Sequence, residues 1–502
     1  MNSIKLKIII LLVLLVSLIG ITIFSIFGLS LSTISVEDIK KSRTLNNSLT
    51  CDIKINGTDA LYDKNTNTYY HHVDIKYNNH IYVLKLDLSK SKYKYRLINK
   101  KTNIINVDFN KYYDVIIYDD NNYYITKIQL TPLPLVSMET KSLIDDEVKG
   151  TFLYINSNLA DNTFKSNIKV HVRGATSRKL EKKSYKVNFY KKGYSKEKNI
   201  NLSNFYSGDS LVLDSLYKDK SKVRNILSID LWNKISNDFS NVSRYSEFVL
   251  VFINQEYRGL YVLTEPINRT KLNLIKTTKN NTSIIIKSRS WDTLYSYKSS
   301  SYDTYKYYYE LKYPKDDGIS DKEYDKILSK LSKYYSSNKS YDIVKDTFDI
   351  KNYIDMIIFN SFINNADNRL IKNNYFYKKS INDSSIFIEP WDMEYTFGLS
   401  YDLNSSSFSS RIDDCKKINF DIDINKDSKI KNLVIERYKE LRKSVLTIEY
   451  IDSLLDKYKN ILVYANESDA KLYYDYDVIE EIEFIRSWVK NRISAYDLIL
   501  GV

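Results

Sequence analysis

Glycine and proline are scarce in this 502-residue chain, 11 and 5 in all, and it holds only four histidines and two cysteines. No G-x-x-x-x-G-K-[ST], H-E-x-x-H or G-x-S-x-G stretch occurs. That removes Walker-type phosphate loops, zinc peptidases of that motif and hydrolases with a nucleophile elbow. His171 is the only histidine beyond position 80, so a histidine-driven hydrolase would rest on that one residue. Cys51 and Cys415 cannot build a metal site by themselves; they form either one long-range disulfide or two unrelated thiols. The stretch DIDINKD, Asp421–Asp427, opens like a calcium loop, but Lys426 stands where the loop needs glycine and Asn432 where it needs a bidentate glutamate. It reads as a solvated turn.

Lysine and arginine outnumber the acids 75 to 62, a net charge of +13. The cations are spread along the chain, so the charge is diffuse and points to no specific nucleic-acid partner. One long apolar run is present: Ile8–Leu31 is uncharged and follows Lys5 and Lys7. It is long enough to span a bilayer and has no A-x-A cleavage site, so a retained single-pass anchor is expected, with residues 1–7 as a short tail and the bulk extracytoplasmic.

Length suggests roughly two to four domains. From Ser48 to Leu130, alternating stretches such as YYHHVDIKY and HIYVLKLDL are parted by Asn/Asp-rich turns, which predicts a small antiparallel β module over about 35–131. TPLPLVSMET, Thr131–Thr140, holds two of the five prolines and marks a junction. Strands then dominate to about residue 290, with one amphipathic helix in KVRNILSIDLWNKI and a hairpin in FVLVFINQEYRGLYVLTE. Residues 288–309 are Ser/Tyr-rich and read as an insertion. Beyond Pro314 the pattern is helical in EYDKILSKLSKYY, IKNYIDMIIFNSFINN, IKNLVIERYKELRKSV and IEEIEFIRSWVKNRI. The expected fold class is α+β, with a strand-rich half (132–290) and a helix-rich half (310–502) flanking a cleft.

Three stretches carry chemistry. VHVRGATSRKLEKKSYKVNFY, Val170–Tyr190, reads as strand, turn at Gly174, strand, with Lys183, Tyr185, Val187 and Phe189 on one face and Lys186 on the other. A small-residue turn followed by a lysine is one way a phosphate is covered and paired; the alternative is an ordinary basic hairpin. NNADNRLIKNNYFY, Asn364–Tyr377, places Asp367 and Asn373 six apart in one loop, suited to orienting a hydroxyl and holding Mg²⁺, or to an Asn-rich loop with a capping Asp. IEPWDMEYTFG, Ile388–Gly398, sets Asp392 and Glu394 on alternate positions, where both carboxylates point to one side. A hairpin between Asn373 and Asp392 would bring the last two stretches together.

In their order, LPLVSMET, VRGATS, KKSYKV, VRNILSIDL, INQEYRGLYVLTE, ELKYP, DNRLIKNNYFY and PWDMEYTFG resemble the CotH family of atypical protein kinases, the spore-coat-protein-H type, over about residues 132–500. The resemblance implies a reduced, bilobal protein-kinase-like fold that transfers the ATP γ-phosphoryl group to serine or threonine of a protein with Mg²⁺ or Mn²⁺, on Ser- and Lys-rich coat proteins. It implies that Arg173, Gly174, Thr176 and Ser177 form the phosphate-side turn, that Lys183 is the phosphate-pairing lysine with Lys186 as its substitute, and that Glu265 lies near the junction of the halves. Asp367 would be the catalytic base, Asp392 the principal metal ligand, Asn373 and Glu394 further ligands; Arg224 and Asp219 match the family's helix motif. The family pattern usually has Asp where Glu394 stands, and its phosphate turn here has a single glycine. A non-catalytic surface or coat scaffold on the same fold, and transfer of a nucleotidyl group, are the alternatives; spore-coat association follows from either coat reading.

Overall fold

The computed structural model describes residues 34–502 apart from 48–50, 160, 175–176, 203–205, 237–242, 279–282, 291–307, 315–320, 381–382, 403–406, 466–471 and 474–476. The membrane span expected at 8–31 lies outside the described residues, and among those described no helix is long and apolar enough to cross a membrane. Most of the insertion expected at 288–309 lies outside them too. The chain divides into two compact units: 1–137 with 153–164 and 252–257, and 138–152 with 165–251 and 258–502.

In the first unit, Leu61–Asp63, Thr68–His72, Asn122–Thr131, Tyr112–Tyr118 and Lys94–Leu97 lie side by side in one sheet. The module is mixed and not antiparallel throughout, because Thr68–His72 and Thr44–Leu45 both pair parallel to Asn122–Thr131. Period-2 alternation fixes which face is buried but carries no information on strand direction. A short helix, Val36–Ser42, is started by a capping box between Ser35 and Asp38. Its Ile39 is fully buried in a cluster with Ile116 and Tyr118. Cys51 and Cys415 are free, buried thiols.

Seven strands close a barrel in the order Leu135–Thr140, Val148–Ile155, Thr163–Arg173, Ser184–Tyr190, Ser210–Asp214, Glu256–Thr264, Ser246–Ile253. Val170, Val172, Val187, Leu211 and Leu213 are buried on one side of these strands. The alternate residues His171, Arg173, Lys186, Val212 and Asp214 share the other side. The expected hairpin turns at Asn254 and Gln255, both left-handed at φ 53° and 61°, the two-residue turn whose twist suits paired strands. The helix expected in KVRNILSIDLWNKI is Arg224–Ser236.

The rest of the second unit packs helices on a four-stranded antiparallel sheet, ordered Tyr309–Tyr313, Ile284–Ser288, Asn374–Lys378, Phe387–Pro390. Ile284–Ser288, assigned by pattern to the strand-rich half, therefore pairs with strands of the later half. Ile285, Lys287, Tyr375 and Tyr377 share one face of this sheet. Helix Ile350–Ile363 is buried nearly all round. It is tied to the sheet by Asn352, whose Nδ2 donates to the Ile388 carbonyl at 3.0 Å and whose Oδ1 accepts the Ile388 N–H at 2.7 Å.

Candidate active site

The first element of the site is the loop after helix Ile350–Ile363. Asn364 ends that helix in the left-handed conformation, φ 51°, which an L-residue other than Asn or Gly adopts at a cost. Asn368 is fully buried. Its Oδ1 accepts the Asn360 amide at 3.0 Å and the Leu370 N–H at 3.1 Å, and its Nδ2 donates to the Asn373 carbonyl at 3.2 Å. Arg369, Leu370 and Asn373 are left-handed as well, a set of sparsely populated conformations that persists because Asn368 over-determines them. The result is a fixed carboxylate: Asp367 accepts from Asn373 Nδ2 at 2.8 Å and from Lys372 Nζ at 3.1 Å.

The second element is the expected hairpin, in which Asn374 pairs with Pro390 and Tyr375 with Glu389. The Trp391 N–H donates to the Asn373 carbonyl at 3.0 Å, so Asp392 leaves the hairpin beside the Asp367 loop. Asp392 is exposed and left-handed, φ 60°. Beyond it the Ala366 N–H donates to the Tyr395 carbonyl and the Phe397 N–H to the Ile363 carbonyl, at 3.1 and 2.8 Å. Glu394 Oε1 accepts the Lys218 N–H at 3.2 Å. The fully buried Arg224 donates Nε to the Thr396 carbonyl at 3.0 Å and pairs with Asp219 at 2.6 Å, so the helix motif holds the segment that follows Asp392.

The barrel face and the sheet face supply the walls. Val212 of the barrel packs in one buried cluster with Ile285, Tyr375, Tyr377 and Trp391. The Trp391 ring carries the Arg173 guanidinium at 5.1 Å and that of Arg244 at 5.5 Å, a cation–π arrangement that immobilises all three groups. Lys287 lies over the Tyr375 ring at 5.6 Å.

The charges of this cleft interact. Burial pushes Asp367 above the usual carboxylate range, with Asp392 adding and Lys372 opposing. Asp214 is raised by burial and by Asp392, against Arg173. Glu394 is pushed up to about 8 by burial first, then by Asp214, Asp392 and Asp219. Lys287 is pulled down to about 8 by burial and by Arg173, with Asp392 opposing. Like charges crowded together favour a bound cation. Among the described residues no three of His, Cys, Asp and Glu converge on one point.

Of the residues singled out from sequence, Asp367, Asn373, Asp392 and Glu394 come together, and Arg173 and Lys186 lie on the barrel face above them. Gly174 follows that strand at φ 91°; Thr176 lies outside the described residues, and Ser177 begins a short 3₁₀ turn. Lys183 does not join them. It precedes the strand, which starts at Ser184, and its Nζ donates to the Arg178 carbonyl. Glu265 is buried in an ion pair with Lys271 and accepts the Tyr245 N–H at 2.6 Å, a structural bracket below Arg244. Sequence reasoning missed Asp214, Lys287 and Asn368. The first two end the apolar runs SLVLD and SIIIK, and a charged residue closing a buried strand was the available signal.

A family model described as CotH kinase protein matches residues 170–496. None of the curated proteins compared matches the chain.

Proposed function

The chain belongs to the CotH kinase protein family, and on that premise we propose that it transfers the γ-phosphoryl group of ATP to serine or threonine hydroxyls of a protein. The observation that carries the reading is the hydrogen-bonded joining of Asp367, Asn373 and the Asp392 strand exit beneath a wall bearing Arg173, Lys186 and Lys287. Phosphoryl transfer asks a protein mainly for positioning and charge neutralisation. Asp367, oriented by Lys372 and Asn373, accepts the proton of the attacking hydroxyl as the bond from the γ-phosphorus to the β-bridging oxygen breaks. Arg173, Lys186 and Lys287 face the phosphates; Lys186 and Lys287 take the part that the family resemblance implies first for Lys183.

Asp392 and Asn373 would hold Mg²⁺ or Mn²⁺, with Glu394 at the edge of the set, and the ion when bound neutralises charge on the β- and γ-phosphate oxygens. Three acids with raised affinity for protons beside Asp392 suit a site completed by a cation. The proposed substrates are Ser-rich coat proteins. A retained anchor at residues 8–31 belongs to this reading on the strength of the apolar run alone.

The test uses the full chain with ATP, Mg²⁺ or Mn²⁺ and a Ser-rich basic protein, read by intact mass. Addition of about 80 Da per acceptor, lost in Asp392→Ala and in Asp367→Ala with the fold retained, is the expected result. About 329 Da would mean nucleotidyl transfer. No added mass, together with no ATP-induced rise in melting temperature, would leave a scaffold, because a ligand that binds only the native state must stabilise it.

A further inference from the structure

Two adjoining recesses of about 210 and 430 Å³ lie against the outer side of the Asp367 loop and share Lys339, Asn419 and Asp421. Arg369, Leu370 and Ile371 of the loop form one wall, and Tyr334 and Tyr335 of helix Asp321–Ser336 form another. The walls are fixed. Tyr335 Oη donates to the Leu370 carbonyl at 2.6 Å, Tyr334 shares a hydrogen bond with Tyr353 at 2.9 Å, and Asn368 holds the Leu370 N–H from the other side.

The cations of this recess are not spent on one another's neighbours. Lys426 lies 3.9 Å from Asp423, whereas among the described residues Lys339 and Arg369 have no ion-pair partner within 4 Å. Lys339 rests over the Tyr334 ring at 5.6 Å. Asp421 sits between them and, because burial outweighs both cations, its carboxyl is pushed up to about 7. Such a carboxyl is protonated easily and then donates a hydrogen bond. An arginine and a lysine on facing walls, both with free donors, match the oxygens of a phosphate monoester better than any neutral group.

Resting on the kinase reading, we infer that this recess binds a phosphoserine or phosphothreonine already present in the polypeptide substrate, so that one phosphorylated residue directs transfer to a neighbour. Arg369 is two residues beyond Asp367 in the same loop. An extended chain covers ~3.3 Å per residue, so a phosphate held beside this loop belongs to a residue near the acceptor in the substrate's sequence.

The full chain, without ATP, is titrated with a labelled Ser-rich peptide bearing one phosphoserine three residues from an acceptor serine, and with its unphosphorylated twin. The expected result is at least about tenfold tighter binding of the phosphopeptide, competition by inorganic phosphate, and loss of the difference in Arg369→Gln and in Lys339→Gln, which lie on separate elements. Asp421→Asn removes the acid shared by both recesses with Lys339 and should tighten binding. Equal affinity for the two peptides overturns the inference. So does the reversed pattern, with Asp421→Asn weakening and Arg369→Gln tightening, which would make the recess a cation site. Binding without ATP is independent of transfer, so a chain that binds the phosphopeptide but adds no phosphate refutes the kinase reading and leaves the site standing.

Discussion

Arg224→Met is the substitution whose consequence can be worked furthest from the structure. The guanidinium is fully buried and donates to Asp219 at 2.6 Å, Ser221 Oγ at 3.1 Å, the Thr396 carbonyl at 3.0 Å and Ser410 Oγ at 3.0 Å, with Glu481 at 3.4 Å. Methionine fills much of the volume but leaves Asp219, itself fully buried, as an uncompensated anion and the Thr396 carbonyl without that donor. Breaking a buried pair by removing one partner costs about 3–5 kcal/mol. For a unit of this size each kcal/mol moves the midpoint by about 2 °C, so the second unit should melt about 6–10 °C lower. Calorimetry of the full chain checks this, and a double variant, Arg224→Met with Asp219→Leu, should lose no more than the single one because the stranded charge is gone. A shift below about 2 °C, or a double variant that loses the sum of both singles, would refute the view that the pair acts as one unit. Thr396 follows Asp392 by four residues, so transfer in the folded fraction should fall as well.

Lys183→Ala should leave ATP binding within about twofold, whereas Lys287→Ala and Lys186→Ala should each weaken transfer by roughly 10–100-fold if a charge-assisted phosphate contact is lost, read as kcat/KM. His71 and His72 are buried neutral, drawn down from 6.5 to about 3 and about 4 by burial. The unfolded chain binds their protons first, so their contribution is complete above 6.5 and is lost as pH falls below it, by up to ~1.4 kcal/mol per pH unit for each. Melting of the first unit between pH 7 and 5 should show that slope, and a His72→Gln chain should be flatter. Gly398→Ala must hold φ at +82° and sets a Cβ 2.7 Å from Trp488 Cδ1 and 2.8 Å from the Arg411 carbonyl oxygen. A loss of about 2–4 kcal/mol in denaturant titration is expected, and a neutral result would mean that Trp488 moves freely.

The Asp367–Asp392 part of the site was legible because it is local. Twenty-six residues hold a loop, a hairpin and a strand exit, and asparagines and a proline punctuate them where the backbone needs left-handed or terminating residues. Lys183 was misjudged for an equally physical reason. Alternation along KKSYKV separated Lys183, Tyr185 and Val187 from Lys186, but only the closed barrel reveals that Tyr185 and Val187 belong to the inside and Lys186 to the side facing Trp391.

The sequence by itself determined the order of strands and helices, the turn chemistry and the local acid pair, since these follow from periodicity and backbone preference over a few tens of residues. Tertiary structure alone decided that Asp214 and Lys287, 73 positions apart, act on the same Asp392. It also decided that Arg224 grips Thr396 across 172 positions. Charges in a thinly hydrated cleft act over distances set by folding, and distance along the chain says nothing about them.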